Sequence, residues 1–182
     1  GNVLFYRQIT NIDTNAKLLT IDSPTKYYLL KRDRARVYKV RTPLHDIGIE
    51  DLSIGMKQVR TVDLNDNDYN KPNTVSYQVH QAHALVVNHT VNSWVRRVGT
   101  YKPSSNVDDV HVLSNGLHLF MSKNITVEKC DFRKAQYLGA GGNGYLFIHQ
   151  GQDNLIIESY AEDGRHNYDF TGLETSGNVI LK

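Results

Sequence analysis

The densest group of residues able to do chemistry lies in the nine-residue stretch Tyr160–Tyr168. It places two acids, Glu162 and Asp163, beside Arg165 and His166. A guanidinium can neutralise an anionic group, and an imidazole or a phenol can move a proton near neutral pH. This stretch is therefore our candidate catalytic site. The alternative is a turn in which Asp-Gly bends the chain and Arg165 pairs with Glu162.

A repeated phrase predicts the elements that must position this stretch. An alternating apolar run, a turn of small residues ending in Asn, and a second alternating run recur around Asn92, Asn124, Asn154 and Asn178. A looser copy has Asp46 at the Asn position. The intervals of 32, 30 and 24 residues fall in the range of solenoid repeats rather than of hairpins. Stacked repeats of this kind indicate parallel strands.

Alternation after each Asn predicts which side chains point into the core. One inward column is Ser93, Ile125, Leu155 and Val179, and the other is Val95, Val127, Ile157 and Leu181. We expect the four Asn side chains to form a ladder of stacked amides, spaced like neighbouring strands at ~4.8 Å. The alternative is four unrelated turn asparagines.

The phrase carries a resemblance to a known family. Residues 117–130 read Leu-His-Leu-Phe-Met-Ser-Lys-Asn-Ile-Thr-Val-Glu-Lys-Cys, and the pattern is repeated with variable loops. It resembles the right-handed parallel β-helix superfamily typified by pectate lyases, over roughly residues 37–182. The resemblance implies an all-β chain folded as a right-handed single-stranded parallel β-helix, a solenoid, behind an irregular β entry region. The Asn-Thr-Asp and Gly-His-Gly motifs of the polygalacturonase branch are not in the sequence.

The same resemblance implies a secreted or cell-surface protein that acts on a polysaccharide, as a lyase or a glycoside hydrolase. In a lyase, Arg165 would neutralise a uronate carboxylate or act as the base, and His166 or Tyr168 would shuttle the proton. Hydrolysis needs two carboxylates, and the adjacent Glu162 and Asp163 would diverge. The possible partners are Asp108, Asp109 and Glu128. The alternative is a non-catalytic β-helix that binds glycan, adheres or forms fibres.

Three aromatic residues are candidates for substrate binding: Trp94, Tyr160 and Tyr168. A flat aromatic face matches the C–H face of a sugar ring. Alternation places Trp94 on the outward face of its strand, where a covering loop is the alternative interpretation.

Composition and charge bound the remaining functions. The 182 residues suffice for one domain with a substantial core, and the net charge is +2. The basic run Lys31–Arg36 is short and interrupted by Asp33, so we interpret it as a solvated loop and expect no nucleic-acid partner. No apolar run approaches the length of a membrane span, and we expect no membrane partner. Cys130 has no partner for a disulfide and is expected to be buried.

No cofactor is predicted with certainty, and calcium is the one that remains open. Asp63, Asn65 and Asn67 match the first ligand positions of a calcium loop. Asp68 stands where the loop needs Gly and Thr74 where it needs Glu, which excludes a helix-loop-helix site. An irregular calcium site and a plain exposed loop are the two remaining interpretations.

Two further features invite a test. His118 and His149 fall at nearly equivalent strand positions, with His89 close to them in the preceding copy, and stacked imidazoles can bind a metal. We nevertheless predict no metal site, because no second-shell pattern is readable. The glycine-rich stretch 138–144 precedes a strand rather than a helix. We interpret it as a flexible loop or a close approach of backbone to ligand.

The chain divides into an entry or cap region at 1–40, whose strands are expected to lead into the first coil, and β-helix coils at 41–182. Lys182 falls in the middle of an expected strand, and no capping segment follows it. We therefore expect a longer solenoid, or another chain that completes the stack.

Overall fold

The computed structural model describes residues 4–40, 42–60 and 64–182, and most of its regular structure is β. Two strands, β1 (Ile9–Asp13) and β2 (Leu18–Ile21), form an antiparallel hairpin. A 3₁₀ turn follows at Lys31–Asp33. The other described residues form one sheet of eleven strands and one short helix. In chain order these are β3 (Leu44–His45), β4 (Gly48–Ile54), α1 (Val75–Val79), β5 (His83–Asn88), β6 (Thr90–Thr100), β7 (Asn115–Glu128), β8 (Asp131–Arg133), β9 (Tyr145–Gln152), β10 (Leu155–Ile157), β11 (Tyr160–Glu162), β12 (His166–Phe170) and β13 (Val179–Leu181).

Every strand pairing in the eleven-stranded sheet is parallel, and the sheet curls nearly closed. We distinguish three ladders of paired strands. Ladder one joins β5, the first half of β7, β9 and β12. Ladder two joins β4, β6, the second half of β7, β10 and β13, and ladder three joins the end of β6, β8 and β11. The predicted all-β, parallel and partly solenoid-like arrangement is confirmed.

The corner that leads into ladder two is formed by one left-handed residue in each coil. In register, these residues are Asp46 (φ 56°), Asn92 (50°), Asn124 (56°), Asp153 (53°) and Gly177 (70°). Asn, Asp and Gly tolerate this conformation better than other residues do, which explains the recurrence of their types in the repeat.

The predicted ladder of four asparagines is wrong in its register. The side chain of Asn124 donates to that of Asn92 through Nδ2 and Oδ1 at 3.0 Å, as expected. Asn154 lies one position later, opposite Ile125, because Asp153 takes the corner. Asn178 pairs in turn with Asn154, whose N–H donates to its Oδ1 at 2.9 Å. The stack therefore contains two pairs of Asn, offset by one residue.

This offset also corrects the predicted core columns. Val95, Val127 and Ile125 are buried as expected, but in β10 it is Ile156 that points inward. Leu155 and Ile157 are half-buried on the other face. Val179 and Leu181 in β13 are exposed. The buried cluster that holds the coils together comprises Val87, Val95, Val98, Val112, Leu117, Leu119, Ile125, Val127, Cys130, Phe132, Leu146, Phe147 and Ile156.

The start of the chain lies beside late coils. The N–H of Leu4 donates to Leu173 O at 3.4 Å and that of Tyr6 to Gln152 Oε1 at 3.0 Å. Lys123 forms an ion pair with Asp22. Described residues of the expected entry region thus contact β7, β9 and the loop after β12.

The described residues include no helix long and apolar enough to cross a membrane. The one α-helix, α1, has five residues, and the Thr74 side chain caps it by accepting from Tyr77 N–H.

Candidate functional site

The outer face of ladder one carries a set of polar side chains in a concave surface. Alternation turns Leu117 and Leu119 of β7 into the core and leaves His118 outward. In register, His118 has Val86 of β5 on one side and Ile148 of β9 on the other. Strand pairing therefore sets which residues of distant sequence meet there.

These residues line a groove of about 580 Å³. Its polar lining comprises Gln81, His83, Asn115, His118, Gln150 and Thr171, and its apolar lining includes Phe120, Tyr145 and Ile148. Gly142 and Gly172 contribute backbone to the walls. Flat rings beside a few polar groups that can both donate and accept are typical of small-molecule sites.

Two stacked imidazoles form the centre of the groove. The rings of His83 and His118 lie 4.9 Å apart at 22°, and His83 Nε2 is 3.2 Å from His118 Nδ1. Asn115 Nδ2 lies 3.3 Å from the same His83 nitrogen. On its far side, His118 Nε2 lies 2.9 Å from Gln150 Oε1. His83, His118 and Gln150 form one hydrogen-bonded chain across β5, β7 and β9.

The pair is neutral near pH 7. Burial, with His118 as a neighbour, lowers the pKa of His83 to about 4, and burial also lowers the pKa of His118. Gln150 presents its carbonyl oxygen Oε1 to His118 Nε2, so that nitrogen donates. A neutral His118 then accepts at Nδ1 from the Nε2–H of His83. The Asn115 side-chain nitrogen donates to Gly142 O at 3.0 Å.

Two carboxylates lie close to His118. Asp169 of β12 pairs in register with Ile148 of β9, which in turn pairs with His118 of β7. Burial raises the pKa of the Asp169 carboxyl. Its Oδ2 is buried and has no hydrogen-bond partner among the described residues. Glu174 is 8% exposed, and a β-carbon added to Gly172 in the groove wall would lie 3.0 Å from its Oε2. Both carboxylates favour the charged form of His118.

The glycine-rich stretch 138–144 forms one wall and is firmly held. Gly141 and Gly142 have φ values of 77° and 86°, which side chains rarely adopt. Asn143 is fully buried, and its Oδ1 accepts from Gln81 N–H at 2.8 Å and from the Ser114 hydroxyl at 2.9 Å. Of the two interpretations, close approach of backbone to ligand fits this geometry better than a flexible loop.

The groove is thus the main guide to function. No family model, curated protein or solved structure matches this chain.

The four predicted catalytic residues divide between two places. Glu162 is bound by Arg133 at 3.1 Å on ladder three, and Asp163 pairs with Lys134. Arg165 Nη1 donates to Gly139 O at 2.6 Å, so it anchors the glycine-rich wall and does not pair with Glu162. His166 packs edge-on against Tyr145 of the groove, with ring centroids 4.6 Å apart. The carboxylates that we considered as partners are engaged elsewhere: Asp108 with Gln58, Asp109 with Lys134 and Glu128 with Arg96.

The predicted substrate-binding aromatics lie outside the groove. Tyr168 stacks on Phe147 with ring centroids 5.1 Å apart, and its hydroxyl donates to Ser159 O at 2.9 Å. The Arg133 guanidinium covers Tyr160 at 4.5 Å. Trp94 is half-buried on ladder two, donates to Glu50 and lines a separate, mainly apolar cavity of about 260 Å³.

The two histidines predicted to be equivalent lie on opposite faces of ladder one. His118 pairs with Ile148, whereas His149 points into the core opposite Leu119.

Of the calcium-loop residues, Asp63 lies outside the described residues. The Asn65 side chain accepts from the N–H of Asn67 at 3.0 Å, and Asp68 pairs with Lys71 at 2.6 Å. Among the described residues, no group of three or more metal-ligating side chains is placed to hold an ion.

Proposed function

We propose that this chain is a right-handed parallel β-helix that binds a neutral polysaccharide in the groove on ladder one. Parallel strands joined by crossovers are right-handed in nearly all sheets, which supports the handedness. A secreted or cell-surface location, where such polymers are met, goes with this proposal.

The lining of the groove carries the proposal. Sugar hydroxyls are both donors and acceptors, and the amides of Gln150 and Gln81 offer both functions on one planar group. Phe120 and Tyr145 supply flat apolar rings for the C–H faces of a pyranose. No Lys or Arg is among the described lining residues, and Asp169 and Glu174 would repel a carboxylate. A neutral sugar therefore fits better than the uronate that a lyase would need.

Binding should depend on the imidazole–amide chain. We expect Gln150→Ala and His118→Ala each to weaken binding by at least about tenfold, since each removes hydrogen bonds and leaves a partner unsatisfied. Isothermal titration against a panel of neutral and uronate oligosaccharides measures this directly. Asp163→Asn, on the ion pair with Lys134 in ladder three, is the matched control and should bind as the wild type does. Preference for uronates, or wild-type affinity in both groove variants, would refute the proposal.

Hydrolysis is a second candidate, favoured by the two carboxylates beside His118. Glycoside hydrolysis needs one protonated and one ionised carboxyl group, and burial of Asp169 favours its protonated form. The acid would protonate the leaving oxygen as the C1–O bond breaks, and the base would take a proton from the water that bonds to C1.

A simple assay separates binding from hydrolysis. If the groove hydrolyses its ligand, new reducing ends should appear, and Asp169→Asn should lower the rate by at least about a hundredfold while the ligand still binds. Products with unsaturated ends would instead indicate a lyase. If no products form from a ligand that binds tightly, the protein is a binding module.

A further inference from the structure

Residues 27–40 form an exposed segment that belongs to none of the ladders, and we call it the basic segment. Its residues are all exposed. Lys26 anchors its start by pairing with Asp153 at 3.6 Å, and the Tyr27 ring lies 6.1 Å from that of Phe5. Beyond Tyr27, residues 28–40 stay exposed and form no strand.

The segment combines two properties that water-exposed loops seldom share. It carries a net charge of +4 in a chain whose net charge is +2, so the remaining residues are acidic overall. It also exposes large apolar side chains, among them Tyr28 at 94%. The cations are Lys31, Arg32, Arg34, Arg36 and Lys39, and the exposed apolar residues are Tyr27, Tyr28, Leu29, Leu30, Val37, Tyr38 and Val40.

The backbone arranges these residues in alternating groups. The 3₁₀ turn at Lys31–Asp33 ends at Arg34, which is left-handed with φ 58°. Along the chain, most of the cations lie between an apolar run at 27–30 and a second apolar group at 37–40. Arg32 forms an ion pair with Asp33 at 3.4 Å. The other cations of the segment have no ion-pair partner among the described residues.

Charge and hydrophobicity together select the partner. A second copy of the segment would bring like charges together. A soluble polyanion would match the cations but would leave Leu29, Leu30, Val37 and Val40 in water. An anionic bilayer satisfies both groups, since apolar side chains enter the interface while Lys and Arg bind phosphate headgroups.

We propose that the basic segment docks this protein onto an anionic phospholipid surface. The expectation of no membrane partner rested on the lack of a membrane-spanning run, which docking on the surface does not need. The apolar run at 27–30 enters the interfacial region of the bilayer. The cations of the turn lie at the level of the headgroups. The groove on ladder one takes no part in this contact.

Co-sedimentation with vesicles tests the proposal. The protein should bind vesicles of phosphatidylcholine mixed with phosphatidylglycerol and not those of phosphatidylcholine alone, and binding should fall as salt is added. Leu29→Ser combined with Leu30→Ser should weaken binding by at least about tenfold. Lys31→Gln should weaken it by about fivefold, the effect of one cation near an anionic surface.

Matched controls separate the segment from the rest of the chain. Val107→Ser removes an apolar side chain that is 67% exposed elsewhere, and Lys57→Gln removes an exposed cation; both should bind as the wild type does. His118→Ala in the groove should also keep full vesicle binding. The proposal is overturned if the wild type ignores the anionic vesicles, or if the double leucine variant binds them normally. Binding to dextran sulfate in place of vesicles would identify a soluble polyanion as the ligand and would overturn it too.

Discussion

Replacing His149 by leucine is expected to raise the free energy of unfolding by about 1 kcal/mol at pH 7. The imidazole is 0% exposed, and neither ring nitrogen has a hydrogen-bond partner among the described residues. A buried polar group without a partner costs about 1–3 kcal/mol, and leucine would lie beside Leu119 of the next coil at similar volume. The ring stacks on Phe170 with centroids 4.5 Å apart, and losing that contact offsets about 1 kcal/mol of the gain.

The gain is expected to grow in acid. Burial lowers the pKa of His149 to about 4, whereas a histidine in the unfolded chain titrates near ~6.5. Between these values the unfolded chain binds a proton that the folded chain does not, so wild-type stability falls as the pH drops. The slope for this residue is up to about 1.4 kcal/mol per pH unit. At pH 5 the variant should therefore exceed the wild type by about 2 kcal/mol more than it does at pH 7.

Urea unfolding followed by circular dichroism at both pH values measures the difference. His83 also has a pKa lowered to about 4, so both proteins should lose stability in acid, and subtraction isolates residue 149. His45→Leu is the matched control, since that side chain is 58% exposed, and we expect it to change stability by less than about 1 kcal/mol. A destabilised variant would show that His149 has a partner in the folded chain. An equal difference at both pH values would show that His149 is not neutral there.

The histidines show what sequence reasoning could and could not reach. The spacing of the repeats predicted parallel stacking because apolar alternation around Asn92 and Asn124 marks equivalent strands. It did not predict the groove, whose polar residues come from β5, β7, β9 and the loop after β12, each within ordinary alternating sequence. His118 and His149 looked equivalent, but one residue of register puts them on opposite faces of ladder one. The available signal was the outward position of His118 between Leu117 and Leu119.

The register error at Asp153 and Asn154 has a physical origin. Phe120 pairs with Gln150 and Lys123 with Gln152, so β7 has one more residue than β9 between these two pairs. Asp153 and Asn154 are adjacent, and both residue types tolerate the left-handed corner. The recurrence of Asn predicts Asn154 at the corner, although sequence alone offers no reason to prefer it over Asp153. In the structure Asp153 occupies the corner, because Asn154 then points inward and its side chain hydrogen-bonds the neighbouring coil.

Asn154→Ala is therefore expected to lower the free energy of unfolding by about 2–3 kcal/mol. Asn154 is 1% exposed, and its Oδ1 accepts from the N–H of Ile125 at 2.8 Å. Truncation leaves that buried N–H without an acceptor and opens a small cavity beside it. Part of this loss is offset, because Nδ2 of Asn154 is buried without a hydrogen-bond partner among the described residues and alanine removes it. Asn154 is not among the residues with positive φ, so alanine adds no backbone strain. Urea unfolding at neutral pH gives the value.

Asn124→Gly is the matched comparison. Asn124 is exposed at the corner with φ 56°, a conformation that glycine adopts freely. This change therefore removes the side-chain hydrogen bond to Asn92 and little else. We expect a loss of less than about 1 kcal/mol. Equal losses of stability in the two variants, or a larger loss in Asn124→Gly, would mean that the exposed amide pair stabilises the coils as much as the inward amide does. That result would contradict the role of the inward Asn154 amide in holding the start of β10 to β7.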